Sequence, residues 1–180
     1  DDTTAKRAIA CSNKIVTVSR FVAKDIAKKY PQAKDKVKTI YSGVDINEYE
    51  PIYSKKGRQT ASKIRKLLNI PEDAFVLLYV GRLVPYKGCH MVIQAMKHVL
   101  GKYSNTHLVI VGSKWYGENG ESDYVKKLRR LAEPHRDRIH FTQYVPVQSV
   151  PQYFTSANIF ICASQWKEPL ARVHYEAMAA

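Results

Sequence analysis

The chain has 180 residues, of which 45% are hydrophobic and 25% charged, and its formal net charge is +13. This length suits one domain or slightly more, and the apolar content excludes a disordered chain. No apolar run approaches the roughly 18 residues of a membrane span and no secretory signal is visible, so we expect a cytoplasmic protein.

The sequence pattern of residues 1–50 predicts two strands and a helix. Residues 14–19 and 37–41 are short apolar runs typical of strands, and residues 20–30 have the apolar stripe of a helix. Ser19, directly before this helix, is a typical N-terminal cap. At residues 42–45, Gly43 predicts a tight turn or a positive φ.

From residue 75 onward, strands alternate with helices. The polar, basic residues 51–63 are expected to be a linker that leads into a helix over residues 62–68. The predicted strands are residues 75–80, 107–111, 138–143 and 158–163, and the helices are residues 89–103, 123–131, 149–155 and the segment after Glu168. This order predicts an α/β fold, a Rossmann-like parallel sheet with helices on both faces.

A basic loop, residues 81–88, follows the first strand of the predicted sheet. Gly81 and Gly88 enclose Arg82 and Lys87. Ligands of open parallel sheets bind beyond the carboxyl ends of the strands, where this loop must lie. A guanidinium fork and an ammonium group on one loop are suited to bind a diphosphate. Most basic loops are simply solvated, so this loop alone assigns no function.

Two carboxylates mark the last predicted helix. Glu168 lies in the loop before it, and Glu176 follows eight residues later, about two turns into the helix. Pro169 suits the first turn of this helix, whose free backbone N–H groups would suit an anion. A ligand with a phosphate at the helix end and hydroxyl groups on both sides would use all of these features.

Together, the basic loop and the two carboxylates resemble the G-R-x₄-K-G and E-x₇-E motifs of the retaining glycosyltransferases of family 4, which have the GT-B fold. The chain is most similar to the spore-coat glycosyltransferases of bacilli. The resemblance implies that Arg82 and Lys87 bind the donor diphosphate, that Glu168 contacts the donor sugar and that Glu176 contacts the ribose. Arg82, Lys87 and Glu168 are therefore the expected catalytic residues.

The same resemblance assigns further positions to donor binding through the backbone. Gly81 and Gly112 allow close approach, and Val145 lies in the segment that reads the nucleotide base. Leu170 and Ala171 lie at the helix start that faces the phosphates. The family usually has Gly at position 171 and a second Gly at position 114, where this chain has Ala171 and Lys114. The methyl group of Ala171 crowds the approach to its N–H, and the loss of the second Gly at Lys114 disfavours close backbone contact there.

The resemblance also implies how the chain is organised and what it binds. Residues 1–50 correspond to the closing part of the N-terminal acceptor domain and the crossover. Residues 51–180 correspond to the donor-binding domain without its last strand and helices. The expected substrate is a nucleotide-diphosphate sugar, foremost a UDP-sugar, and the acceptor is a glycan, a lipid or a small molecule. No cofactor and no metal are expected, because the chain has no Asp-x-Asp pair.

Other interpretations of the basic charge and the cysteines remain open. A solvated basic face, an anionic substrate and an anionic membrane surface each account for the charge, whereas no nucleic-acid motif is present. Cys11, Cys89 and Cys162 have no metal-ligand spacing and predict reduced thiols in or near the core. The alternative functions are a non-catalytic spore-coat or scaffold module and a basic anion-surface binder, and the alternative locations are the spore coat and the membrane surface.

Overall fold

The computed structural model describes residues 2–112, 122–142 and 144–180. These residues form two compact units. One contains the described residues up to Gly43 together with Glu168–Arg172, and the other contains Val44–Lys167 together with Val173–Ala180. The assignment of residues 1–50 to an acceptor domain and of residues 51–180 to a donor domain stays a prediction.

The first unit is built around a small parallel β-ribbon. Its elements are α1 (Asp2–Cys11), β1 (Ile15–Thr17), α2 (Arg20–Lys29), a 3₁₀ turn (Pro31–Ala33) and β2 (Val37–Thr39), with β1 parallel to β2. The predicted cap is confirmed, because Ser19 Oγ accepts from the N–H of Val22 at 3.2 Å. The prediction for Gly43 is wrong: it lies in loop backbone with neither a turn nor a positive φ. Helix α1 had not been predicted.

Helix α3 (Lys55–Leu67) begins within the segment predicted to be a linker. Ser54 Oγ accepts from the N–H of Gly57 at 2.8 Å and caps the helix. The Lys, Arg and Gln residues that make the segment polar are also strong helix formers, as is Ala61. Ala61 and Ile64 form a buried stripe on this helix, so packing against the core adds to the stability that helix propensity provides.

The second unit contains the predicted sheet. The strands β3 (Phe75–Val80), β4 (Thr106–Val111), β5 (Ile139–Phe141) and β6 (Ile159–Phe160) are all parallel, in the order β5-β4-β3-β6. The helices that alternate with them are α4 (Cys89–Lys102), α5 (Asp123–Ala132), α6 (Val150–Ser156) and α7 (Arg172–Ala179). The fold class is confirmed. Strands β5 and β6 are shorter than predicted, and the predicted end of β5 at Gln143 lies outside the described residues.

Successive residues of β3 belong alternately to two cores, one on each face of the sheet, as expected for a sheet that is covered on both faces. Leu77 and Tyr79 belong to the core that includes α4 and α5, whereas Val76 and Leu78 belong to the core that includes α3 and α6. Arg65 of α3 is only 8% exposed. Its guanidinium donates to the carbonyl oxygens of Glu72, Ala74 and Ser156 and to the side-chain oxygen of Asn158, and it thereby joins α3 to the sheet.

The three cysteines differ in their exposure. Cys89 is buried as predicted, but Cys11 and Cys162 are exposed, so the prediction of near-core thiols is wrong for these two. Their positions explain this exposure, since Cys11 is the last residue of α1 and Cys162 lies in the loop after β6. Across the part of the chain that the structure describes, no helix is long and apolar enough to cross a membrane.

Candidate functional site

The carboxyl ends of β3 and β4 meet at one edge of the sheet. Val80 pairs with Val111, and the N–H of Gly81 donates to the carbonyl oxygen of Val111 at 3.0 Å. Gly112 has a φ of 154°, and a Cβ atom there would lie 1.9 Å from the carbonyl oxygen of Gly81. The two loops therefore leave the sheet in contact, and position 112 requires glycine.

The basic loop ends in a tight turn. Pro85–Lys87 form a 3₁₀ turn, and Gly88 follows it in the left-handed conformation with a φ of 72°. A Cβ atom on Gly88 would lie 1.9 Å from the carbonyl oxygen of Ala163, so this position also requires glycine. The turn seats the basic loop against the segment that follows β6.

Arg82 and Lys87 line the same cavity. Its volume is about 130 Å³, and both cations are half-buried in its wall. Gly81 contributes backbone to this wall, and Cys162 and Ser164 line it from the segment after β6. The cavity therefore combines two cations with hydroxyl, thiol and backbone groups at the carboxyl edge of the sheet.

Tyr79 lies beneath the basic loop. The residue is 2% exposed, and its hydroxyl oxygen lies 3.2 Å from the carbonyl oxygen of Lys87 and 3.4 Å from that of Arg82. A buried tyrosine hydroxyl requires such partners. The contacts fix the loop backbone from below and leave the two cationic side chains at the cavity.

An aromatic pair flanks the two cations. Arg82 Nη2 donates to Tyr86 Oη at 2.7 Å, and Lys87 Nζ lies 5.8 Å from the centre of the Trp166 ring. The rings of Tyr86 and Trp166 meet edge to face, with their centres 5.3 Å apart. Neither aromatic residue had been singled out from the sequence. The available signal was a tryptophan in the polar turn two residues before Glu168.

Cys89, the first residue of α4 after the basic loop, does not supply a nucleophile. Burial raises the pKa of its thiol to about 12, so the sulfur stays protonated near neutral pH. Among residues 2–112, 122–142 and 144–180, no group of three His, Cys, Asp or Glu side chains is arranged to hold a metal ion.

The remaining predicted residues are distributed between the two units. Val145 and Glu176 belong to the second unit, with Gly81, Arg82, Lys87 and Gly112, whereas Glu168, Leu170 and Ala171 belong to the first. Val145 is half-buried against the core that contains Val76 and Leu78, and Glu176 is half-buried in α7. The prediction for Lys114 lies outside the described residues. The ligand roles of all these residues stay predictions.

Helix α7 starts later than predicted. It begins at Arg172, so Pro169 precedes the helix, and Glu176 is the fifth helical residue, just over one turn from the start. The N–H of Arg172 donates to the carbonyl oxygen of Leu170 at 3.2 Å, so the expectation of free N–H groups is wrong at this position. Residues 168–171 are therefore loop and not the first turn of the helix.

Comparison with known proteins places this site in a family. Residues 60–180 match the family model described as glycosyl transferases group 1, a match that includes the basic loop and both carboxylates. The chain belongs to the glycosyl transferases group 1 family. The prediction from the two motifs is thereby confirmed at the level of the family.

Relatives and solved structures agree with this membership of glycosyl transferases group 1. The chain is 46% identical over 166 residues to a putative glycosyltransferase, YtcC, and 40% identical to spore coat protein SA, both from Bacillus subtilis strain 168; each match covers 92% of the chain. It spans 40% and 44% of the lengths of those relatives. The structure of Anabaena Alr3699/HepE in complex with UDP and glucose is similar, with a TM-score of 0.76 and 25% identity over 93% of this chain and 42% of that one.

Proposed function

We propose that the chain supplies the donor-binding half of a retaining glycosyltransferase that uses a UDP-sugar. The observation that carries this proposal is the cavity at the carboxyl edge of the sheet, which Arg82 and Lys87 both line. A diphosphate is the ligand that two such cations suit best. Alr3699/HepE, a similar protein, is known in complexes with UDP and glucose and with UDP-glucose, which supports uracil as the base.

In the proposed reaction, the bond between the anomeric carbon of the sugar and the diphosphate oxygen breaks, and the sugar passes to the acceptor with retained configuration. Negative charge develops on the departing diphosphate. Arg82 and Lys87 stabilise that charge, and a well-placed donor in comparable sites contributes roughly 3–4 kcal/mol. Because fixed cations take this part, the proposal includes no metal and no cofactor.

The two carboxylates have different parts in the proposal. Glu168 orients the hydroxyl groups of the donor sugar, and its negative charge favours the oxocarbenium-like transition state. Glu176 holds the ribose hydroxyl groups through charge-assisted hydrogen bonds. Its half-buried place in α7 supports this part, because partial exclusion of water strengthens such bonds.

Backbone groups complete the proposed donor site. Gly81 and Gly112 allow the ligand to approach the loops, Val145 contacts the base, and Leu170 and Ala171 face the phosphates. The acceptor, a glycan, lipid or small molecule, would bind to parts of the full-length protein that complete this half. We place the reaction in the cytoplasm, and the net charge of +13 makes an anionic membrane surface a second partner to test.

A thermal-shift panel on the full-length protein tests the proposal. Ligands that bind the native state raise the melting temperature, and the rise grows with the ratio of ligand concentration to Kd. We expect UDP and one UDP-sugar to raise it more than GDP, ADP and their sugars do. Absence of a shift with every nucleotide would favour a non-catalytic coat or scaffold module. If sulfate or anionic vesicles raise the melting temperature as much as UDP does, and added nucleotide does not change that rise, a general anion-surface binder would be favoured.

A further inference from the structure

We propose that Tyr86 and Trp166 are positioning residues that set where Arg82 and Lys87 present their charges to the donor diphosphate. This inference rests on the proposed function, because it assigns a purpose to the same cavity. It adds Tyr86, which occupies an unspecified position of the first motif, and Trp166, which lies just before the second. Tyr86 and Trp166 would act through the cations and would not need to touch the sugar.

The geometry pairs each aromatic ring with one cation. Tyr86 Oη accepts from Arg82 Nη2 at 2.7 Å, within the distance range of a good hydrogen bond. Lys87 Nζ lies 5.8 Å from the centre of the Trp166 ring, within range of a cation–π contact. The rings themselves meet edge to face at 5.3 Å. The two cations are therefore linked through one aromatic pair.

The backbone holds this pair in place. The N–H of Gln165, next to Trp166, donates to the carbonyl oxygen of Tyr86 at 2.7 Å. Tyr86 lies in the 3₁₀ turn of the basic loop, and Trp166 lies in the segment after β6, whose residues 161–164 also line the cavity. The aromatic pair thus joins the two segments that form the cavity and fixes their separation at the point where the cations sit.

Positioning matters for these cations because arginine and lysine have flexible side chains. A cation that is free to sample many rotamers loses that freedom when it binds phosphate, and this loss weakens binding. A cation already held near its bound position loses less. Tyr86 and Trp166 are 37% and 44% exposed, so they can hold the cations without a large contribution to the core.

A double-mutant cycle on the full-length protein tests the inference, with UDP and uridine as probes in calorimetry. Tyr86→Phe keeps the ring contact with Trp166 but removes the oxygen that accepts from Arg82. We expect it to weaken UDP binding about 3- to 10-fold and to leave uridine binding unchanged, because uridine has no phosphate. In an Arg82→Ala background, the same Tyr86→Phe change should alter UDP affinity less than about 2-fold.

Trp166 provides the second arm of the test. Trp166→Leu should also weaken UDP binding about 3-fold without a change for uridine, and Trp166→Phe should restore most of that loss because a π face remains over Lys87. Melting temperatures identify any variant that has lost its fold. If Trp166→Leu does not fold, Tyr86→Phe and Trp166→Phe still test the inference.

The outcomes separate this inference from the proposed function. If Tyr86→Phe weakens UDP equally with and without Arg82, or weakens uridine as much as UDP, the positioning role is wrong and the donor site stands. If Arg82→Ala leaves UDP affinity unchanged, the diphosphate site itself is wrong and the inference fails with it.

Discussion

Gly112 lies so close to Gly81 that a Cβ atom at position 112 would come within 1.9 Å of the Gly81 carbonyl oxygen. This contact joins the loop after β4 to the first residue of the basic loop. Real Cβ atoms do not approach a backbone oxygen so closely, so any larger residue at position 112 must displace one of the two loops. The position of Arg82, the next residue, depends on that contact.

The first prediction concerns Gly112→Ala. Because backbone and not a flexible side chain meets the new methyl group, we expect the free energy of unfolding to fall by about 1–3 kcal/mol, as in other overpacked sites. UDP affinity should fall as well, because Gly81 moves. Urea unfolding and calorimetry measure the two effects.

Gly101→Ala is the matched control for that variant. Gly101 lies in α4, and a Cβ atom there would meet nothing within 4 Å. Alanine is the better helix former, so this change should raise stability by about 0.5–1 kcal/mol and leave UDP affinity unchanged. Equal effects of the two substitutions would show that the Gly81–Gly112 contact is not tight.

The second prediction concerns acid stability and a buried histidine pair. His107 is 3% exposed; its Nε2 lies 2.8 Å from Arg138 Nη1, and its Nδ1 lies 2.9 Å from Nε2 of His140. Because arginine only donates, Nε2 of His107 must accept, and Nδ1 carries the proton toward His140. Burial, with the nearby His140, Arg138 and Arg65, lowers the pKa of His107 to about 4.

The sign of the pH dependence follows from that lowered pKa. Between the ordinary pKa of about 6.5 and a pKa of about 4, the unfolded chain binds a proton at His107 that the folded protein excludes. The free energy of unfolding should therefore fall as the pH falls from about 6.5 toward 4. The urea midpoint at pH 7 and pH 5 measures this decrease.

Two variants locate the acid effect. His107→Asn should be less stable at pH 7 but lose part of the decrease between pH 7 and pH 5, because the titrating group is gone. His98→Asn, on the exposed surface of α4, should keep the whole decrease. Identical pH dependence in both variants would assign the effect to other groups.

The third prediction concerns metal. Because Arg82 and Lys87 are proposed to neutralise the diphosphate, release of UDP from the UDP-sugar that gives the largest thermal shift should continue in EDTA. The purified full-length protein is the appropriate sample. Complete loss of turnover in EDTA, with recovery on addition of Mn²⁺ or Mg²⁺, would mean that a metal ion binds the phosphates instead.

The fourth prediction separates the two carboxylates. Glu176→Gln keeps the shape but removes the charge, so it should weaken UDP and the UDP-sugar alike by about 1–2 kcal/mol. Glu168→Gln should leave UDP affinity within about 2-fold of wild type while it lowers turnover of the UDP-sugar, since its proposed partner is the sugar. Calorimetry with UDP and turnover measurements on both variants are needed. Equal weakening of UDP by the two changes would refute the division of roles.

The sequence was informative where one physical signal dominated. The apolar runs of β3 and β4 and the alternation of strands with helices predicted the parallel sheet, because a strand covered on both faces must be apolar throughout. The position of the basic loop beyond β3 followed from the same topology. Arg82 and Lys87 could therefore be placed at the carboxyl edge of the sheet before the structure was known.

Prediction from sequence failed where local and tertiary signals compete. Polar residues at the start of α3 suggested a linker, but the Ser54 cap and the buried stripe through Ile64 favour a helix. Pro169 suggested a helix start that the chain delays to Arg172. The aromatic pair of Tyr86 and Trp166 joins segments 80 residues apart in sequence, and no local pattern reveals such a contact.

The most direct test of the account is the affinity of the full-length protein for UDP, measured by calorimetry in wild type and in Arg82→Ala and Lys87→Ala. Lys63→Ala removes the same charge from an exposed position on α3 and controls for net charge. We expect each cavity variant to weaken UDP about 10- to 100-fold, the effect of losing a charged hydrogen-bond donor, and Lys63→Ala to change it less than about 2-fold. Wild-type affinity in either cavity variant, or an equal loss in all three, would contradict the assignment of this cavity to the donor diphosphate.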